Sequence, residues 1–222
     1  MEKPDAVEAA PIVVRALKQL AGTISAKGRE GSDARTAIGD AIAFAYPLLR
    51  DDQLGEPLKQ CFELARLAGA TLYEMEAIRR SVSRETPKTV GGFVTADVLM
   101  ILCLAEESII VANMVFASRQ EVDYVKQNMV EPFAEAEEIA ADTMDQAGYQ
   151  ILITLHASVT NHLVVTARPL PRLLNFQFFE PLPSLVIAYK LYDDASRADE
   201  VRAENRIVHP AFCPVQGQAL SA

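Results

Sequence analysis

Apolar residues recur at three- and four-residue steps over most of the first 167 positions, and that period predicts helices. A first helix is expected over about 5–25, with Pro11 near its start and Gly22 near its end. Lys27-Gly28-Arg29-Glu30-Gly31 reads as a loop, after which Ser32 or Asp33 caps a helix running toward Leu49. Leu54, Leu58, Cys61, Phe62, Ala65, Leu72 and Met75 keep one helical face over about 52–83. Thr86-Pro87 and Gly91-Gly92 then read as breaks before an apolar helix over about 93–116. Ser118-Arg119-Gln120-Glu121 has capping-box spacing and opens a helix to about Ala147, which Gly148 interrupts or bends. The helical period resumes from Tyr149 to about Ala167.

The pattern changes after Arg168-Pro169-Leu170-Pro171-Arg172, a proline-punctuated linker where a domain boundary is expected. Leu174 to Phe178 reads as a strand, Pro183 to Tyr192 and Ser196 to Asn205 as helices, and Gln216 to Leu220 as a closing strand. The predicted fold is therefore mainly α, with a bundle of long helices over 1–167 and a compact βααβ unit over 168–222.

Composition agrees with a globular chain: half of the residues are apolar, and Gly is scarce. No charged stretch followed by an apolar one opens the chain, so no secretory signal is read there. The stretch from Ala96 to Phe116 is about one bilayer long, but it carries Asp97, Glu106 and Glu107, which favours a core helix. Cys61, Cys103 and Cys213 form no CxxC pair and have no His at metal-ligand spacing. Cys61 and Cys103 read as small buried apolar residues of a reduced, cytoplasm-made protein.

The net charge of −9 sits wholly in residues 1–166, because residues 167–222 hold six basic and six acidic side chains. An acidic surface with no basic cluster beyond Arg79-Arg80 and Arg84 disfavours direct nucleic-acid binding. Glu131, Glu135, Glu138, Asp142 and Asp145 form a carboxylate stripe on one helix face. Without Glu-x-x-His pairs the stripe reads as solvated surface rather than as a di-metal site. His156 and His162 are six residues apart and do not share a helix face. No nucleophile elbow, phosphate-cradling loop or HExxH occurs, so neither catalysis nor a cofactor or metal is expected.

In the tail, Tyr189 and Tyr192, with Leu185 and Ala188, mark one helix face. Asn205 ends the second helix, where it can take the left-handed cap conformation and bond loop backbone. His209-Pro210-Ala211-Phe212-Cys213-Pro214 is a rigid apolar loop. It is either an exposed contact surface or a plug under the sheet.

The run from Leu182 to Phe212, with Phe116-Ala117-Ser118-Arg119-Gln120-Glu121 and Arg168-Pro169-Leu170-Pro171-Arg172-Leu173, resembles the C-terminal part of the Mu-type phage and prophage DNA circularisation proteins. The likeness is specific over about 110–222 and general before that. Asn205-x-Ile207 and the closing Gly217-Gln218-Ala219-Leu220 also resemble LysM modules. Where such modules usually open on Gly-Asp-Thr, this chain has Pro181-Leu182-Pro183, and its last loop carries His209-Pro210-x-Phe212. Both departures weigh against glycan binding.

The resemblance implies a structural component of a contractile tail baseplate, located in the virion and assembled in the host cytoplasm. Its partners would be other baseplate or tube proteins, in several symmetric copies, with no membrane. It also implies an upstream β-domain of roughly ninety residues, here on a separate polypeptide or removed. The candidate partner-interface residues are Ser184, Tyr189, Tyr192, Asn205, His209, Pro210 and Phe212. The alternatives are a peptidoglycan-binding LysM-type tail protein and a DNA circularisation factor.

Overall fold

A computed structural model describes residues 1–143 and 146–221. The chain is mainly helical with a small antiparallel two-stranded sheet. It divides into two compact units, one of Met1–Met114 with Met129–Val159 and one of Val115–Asn128 with Thr160–Ala222.

In the first unit, α1 (Lys3–Gly22) packs against α2 (Arg29–Ala43), α3 (Ala45–Arg50), α4 (Gly55–Leu67), α5 (Leu72–Val82) and α6 (Val90–Ala112). Its buried face is Ala6, Ala9, Val13, Ala16, Leu17 and Leu20, a three-and-four spacing of small and large residues. Pro11 stands on the exposed side, and the carbonyl it cannot bond belongs to the exposed Val7.

Two long predicted helices are divided. The one expected over 52–83 is α4 and α5, separated by Gly69 at φ +96°. Thr71 then restarts the helix with a full capping box: its hydroxyl accepts from the Glu74 N–H, and Glu74 accepts from the Thr71 N–H. The one expected to run from Ser32 or Asp33 to Leu49 begins earlier, at Arg29 behind Gly28, so the expected loop over 27–31 is partly helix. It breaks at Phe44 because Pro47 has no N–H to donate to the Ala43 carbonyl.

Gly91 and Gly92 do not break the chain either. They lie in the first turn of α6, and a Cβ on Gly91 or Gly92 would overlap the side chain of Asp5 or Glu8 of α1. Thr89 caps α6 by accepting from Gly92 N–H. The Glu8 carboxylate accepts from the N–H groups of Lys88 (2.9 Å) and Thr89 (2.7 Å) and from the Thr89 hydroxyl (2.6 Å). The Thr89 hydroxyl, helped by those N–H groups, holds the Glu8 carboxyl below its ordinary range.

Among the described residues no helix is long and apolar enough to cross a membrane. Two of the three carboxylates of α6 are instead matched by arginines of α4 and α5: Arg66 with Glu106, and Arg79 with Glu107 at 2.8 Å. Glu107 is fully buried, and one of its oxygens has no partner. Burial pushes its carboxyl up to about 7 against the opposing pull of Arg79. All three cysteines are free and buried, and burial raises the Cys61 thiol to about 11.

α7 (Arg119–Thr143) presents Glu131, Glu135, Glu138 and Asp142 to solvent, while Asp145 of the predicted stripe lies outside the described residues. Within this unit Glu137 meets His156 Nδ1 at 2.7 Å, and the His156 ring stacks on Phe133. His156 lies in α8 (Gln146–Ala167), whose helix runs through Gly148.

In the second unit the predicted capping at Ser118 is present, with one shift. The Ser118 hydroxyl accepts from Glu121 N–H, and Glu121 reaches back to Ala117 N–H rather than to that of Ser118. Arg119 donates to the carbonyls of Ala167 and Arg168 and so closes the C-terminal end of α8. The tail follows as β1 (Leu173–Gln177), α9 (Ser184–Tyr192), a single 3-10 turn at Ala195–Arg197, α10 (Ala198–Glu204) and β2 (Gln216–Leu220). β1 and β2 pair antiparallel with Phe176 opposite Gly217. Phe176, Ile187, Ala188, Ala198, Val201, Cys213 and Ala219 form their common core.

Candidate functional site

The seven candidate residues all lie in the second unit, and the structure sorts them by burial. Ser184, Tyr192 and Asn205 hold the tail together, whereas Tyr189, His209, Pro210 and Phe212 stand exposed.

Ser184 opens α9 and is buried, and its N–H donates to the Pro210 carbonyl at 2.8 Å. That bond joins the start of α9 to the last loop. Tyr192 lies one turn beyond Ala188 and takes the Arg197 guanidinium over its ring at 3.7 Å from the centroid. Burial, then the neighbouring Glu200 carboxylate, raises the Tyr192 phenol.

Asn205 departs from the expected left-handed conformation. Its φ is −103°, and the positive φ falls on Arg206 instead, as it does on Asp193 after α9. The side chain explains why. Its Nδ2 donates to the carbonyls of Val201 (2.8 Å) and Gln218 (2.7 Å), while its Oδ1 accepts from Gln218 N–H (2.7 Å). Asn205 is thereby a bracket between α10 and β2. Gly217 must be glycine beside it, because a Cβ would overlap Asn205 Oδ1 and the Phe176 ring.

The loop between α10 and β2 answers both readings of its sequence. Cys213 is the plug: it is buried in the tail core and donates its N–H to Leu182 at 3.2 Å. His209, Pro210 and Phe212 are outside. The His209 Nδ1 accepts from Ala211 N–H, and its ring sits 5.3 Å from that of Phe212. Phe212 is 74% exposed, and on α9 Leu185 and Tyr189, one helical turn apart, are each 59% exposed.

Pro183, Ser184, Leu185, Ala198, Arg202 and Pro210 also line an open groove of about 430 Å³. There Arg202 donates from Nη1 to Asp199 at 2.7 Å, while its Nε is buried without a partner.

One functional-looking element is absent from the sequence reading. Gln120, near the start of α7, exchanges two hydrogen bonds with the backbone of Leu173: Leu173 N–H donates to Oε1 at 2.8 Å, and Nε2 donates to the Leu173 carbonyl at 3.1 Å. It brackets β1 as Asn205 brackets β2. Nothing local marks either amide for this, since the partner is 53 residues away for Gln120 and 13 for Asn205.

Among the described residues no three His, Cys, Asp or Glu side chains gather as metal ligands would. No protein-family model matches the chain, and no curated protein matches it.

Proposed function

We propose that this chain is a structural component of a contractile phage-tail baseplate, and that its C-terminal LysM-like module docks onto neighbouring tail proteins. The reading rests on the sequence resemblance over about 110–222 and on one structural observation. Tyr189 and Leu185 of α9 and Phe212 of the last loop are exposed, while the loop that carries Phe212 is pinned at Ser184 and Cys213. A pre-ordered apolar surface loses little conformational entropy when a partner covers it. Several symmetric copies would then supply an affinity that one small module lacks.

Cross-linking mass spectrometry on intact tail particles tests this, reading cross-links from Lys190 and from the lysines of residues 1–126. Links to baseplate or tube proteins support the role. Absence of the chain from purified particles ends it.

The groove beside Ser184 and Pro210 favours a second reading, peptidoglycan binding by the same module. It predicts that the full chain binds cell-wall oligosaccharide and that Ser184→Ala or His209→Ala weakens binding. No measurable binding removes it.

A further inference from the structure

The first turn of an α-helix carries N–H groups that have no acceptor within the helix. In α9 most of them are used: Ser184 donates to the Pro210 carbonyl at 2.8 Å, and Val186 and Ile187 donate to that of Pro183 at 2.9 and 3.0 Å. Among the described residues the Leu185 N–H has no acceptor. The Ser184 hydroxyl has no partner there either, although Ser184 is only 1% exposed. A serine this enclosed ordinarily has its hydroxyl bonded. Both residues line the groove beside Pro210.

A third donor comes from α10. Arg202 lines the same groove, and its Nη1 holds the Asp199 carboxylate at 2.7 Å. The Asp199 side chain is 89% exposed, and an ion pair so open to water contributes little. Its place on Arg202 marks where the guanidinium meets a carboxylate. Nη2 has no partner among the described residues, and Nε is buried without one. A free N–H at the positive end of a helix, an unbonded hydroxyl and a guanidinium on one groove suit an anion.

The rest of the lining is mostly apolar: Pro183, the Leu185 side chain, Ala195, Ala198 and Pro210. A small inorganic anion leaves that surface uncovered, and an Asp or Glu side chain has only methylenes to lay on it. The last residue of a polypeptide has both parts, a carboxylate and a side chain on the same Cα. Residues 167–222 hold six basic and six acidic side chains, so this part of a −9 chain does not repel an anion by net charge.

We infer that this groove captures the C-terminal carboxylate of a partner protein whose last side chain is apolar. The carboxylate accepts from the Leu185 N–H, the Ser184 hydroxyl and Arg202, and it displaces Asp199 into solvent. The last side chain covers the apolar lining. This names the chemistry of a partner for the docking reading and rests on the module's being a docking surface, not on the chain's place in a tail. A peptide that fails to bind removes the carboxylate site alone, because the cross-links are read separately.

NMR titration of the isotope-labelled full chain tests it, with N-acetylated tetrapeptides ending in free leucine or valine and the C-terminal amides of the same peptides as controls. The Leu185 N–H and Arg202 Nε–H resonances should shift and saturate with the free acids. The amides should bind about tenfold more weakly, since they lose the charge-assisted bonds. Arg202→Gln should lower the affinity to a similar degree, with unchanged exchange at Gln218 N–H showing that the tail stays folded. Asp199→Asn, at an exposed position, should raise it by freeing Nη1. Equal binding of acid and amide overturns the inference. So does an Asp199→Asn variant that binds no tighter, or the absence of any shift at millimolar peptide. An oligomer of N-acetylglucosamine that shifts these resonances where the peptides do not overturns it too, in favour of the glycan reading.

Discussion

Asn205 and Gln218 exchange two hydrogen bonds of 2.7 Å each, the side-chain amide of one matching the backbone of the other as a neighbouring strand would. Replacing Asn205 by Ala removes both, together with the bond to the Val201 carbonyl, and leaves the Gln218 groups dependent on water. The cost should be about 1–3 kcal/mol, confined to the tail. Hydrogen exchange at Gln218 N–H reads it directly: the amide should exchange faster in Asn205→Ala, while the amides of α1 and α6 are unaffected.

Gly69 holds φ +96°, and a Cβ there would overlap the Ser25 hydroxyl. Gly69→Ala should therefore destabilise the chain by about 1–2 kcal/mol from the backbone conformation alone, with the overlap adding to it. A lower urea midpoint checks this, and an unchanged midpoint would show that α4 and α5 can join without the turn.

Arg79 and Glu107 are both buried, whereas Arg66 keeps part of its side chain in solvent. Arg79→Met strands a buried carboxylate and should cost about 3–5 kcal/mol at pH 8. Arg66→Met should cost less, since water can reach Glu106 through the gap. Urea unfolding of the two variants at one pH gives the ranking.

The Glu107 carboxyl titrates near 7 in the folded chain against 4.5 when free, chiefly because of burial. Between these values the folded chain holds a proton that the unfolded chain has released. The stability this proton contributes is complete below about pH 4.5 and is lost as pH rises through 7. Glu8 has the opposite sign, because its lowered value contributes stability that is lost as pH falls. Subtracting the urea midpoints of Glu107→Gln from those of the parent should leave a decline from pH 4.5 to 7. A flat difference would place the Glu107 proton elsewhere.

The break between α4 and α5 shows where local signals compete. The apolar period runs on from Leu58 through Met75 as though one helix continued, yet Thr71-Leu72-Tyr73-Glu74 has the same capping spacing as Ser118 to Glu121. Gly69 decides the matter, because its positive φ is open to glycine at little cost and turns the chain before Thr71 caps it. At Gly91 and Gly92 the same residue type does the reverse. There the glycines lie inside a helix, and their missing side chains make room for Asp5 and Glu8.

The sequence by itself determined the mainly helical character, the capping at Ser118, the burial of Cys61 and Cys103 and the strand, helix, helix, strand order of the tail. These follow from contacts within a few residues, which spacing records. Tertiary structure alone decided that Arg66 and Arg79 meet Glu106 and Glu107, that Gln120 and Asn205 bracket the two strands, and that Cys213 is buried while Phe212 is not. Each of these joins groups far apart along the chain. An amide or a guanidinium has the same local pattern whether it faces water or a backbone 53 residues away. Only the packing of the helices and the closing of the sheet select between the two.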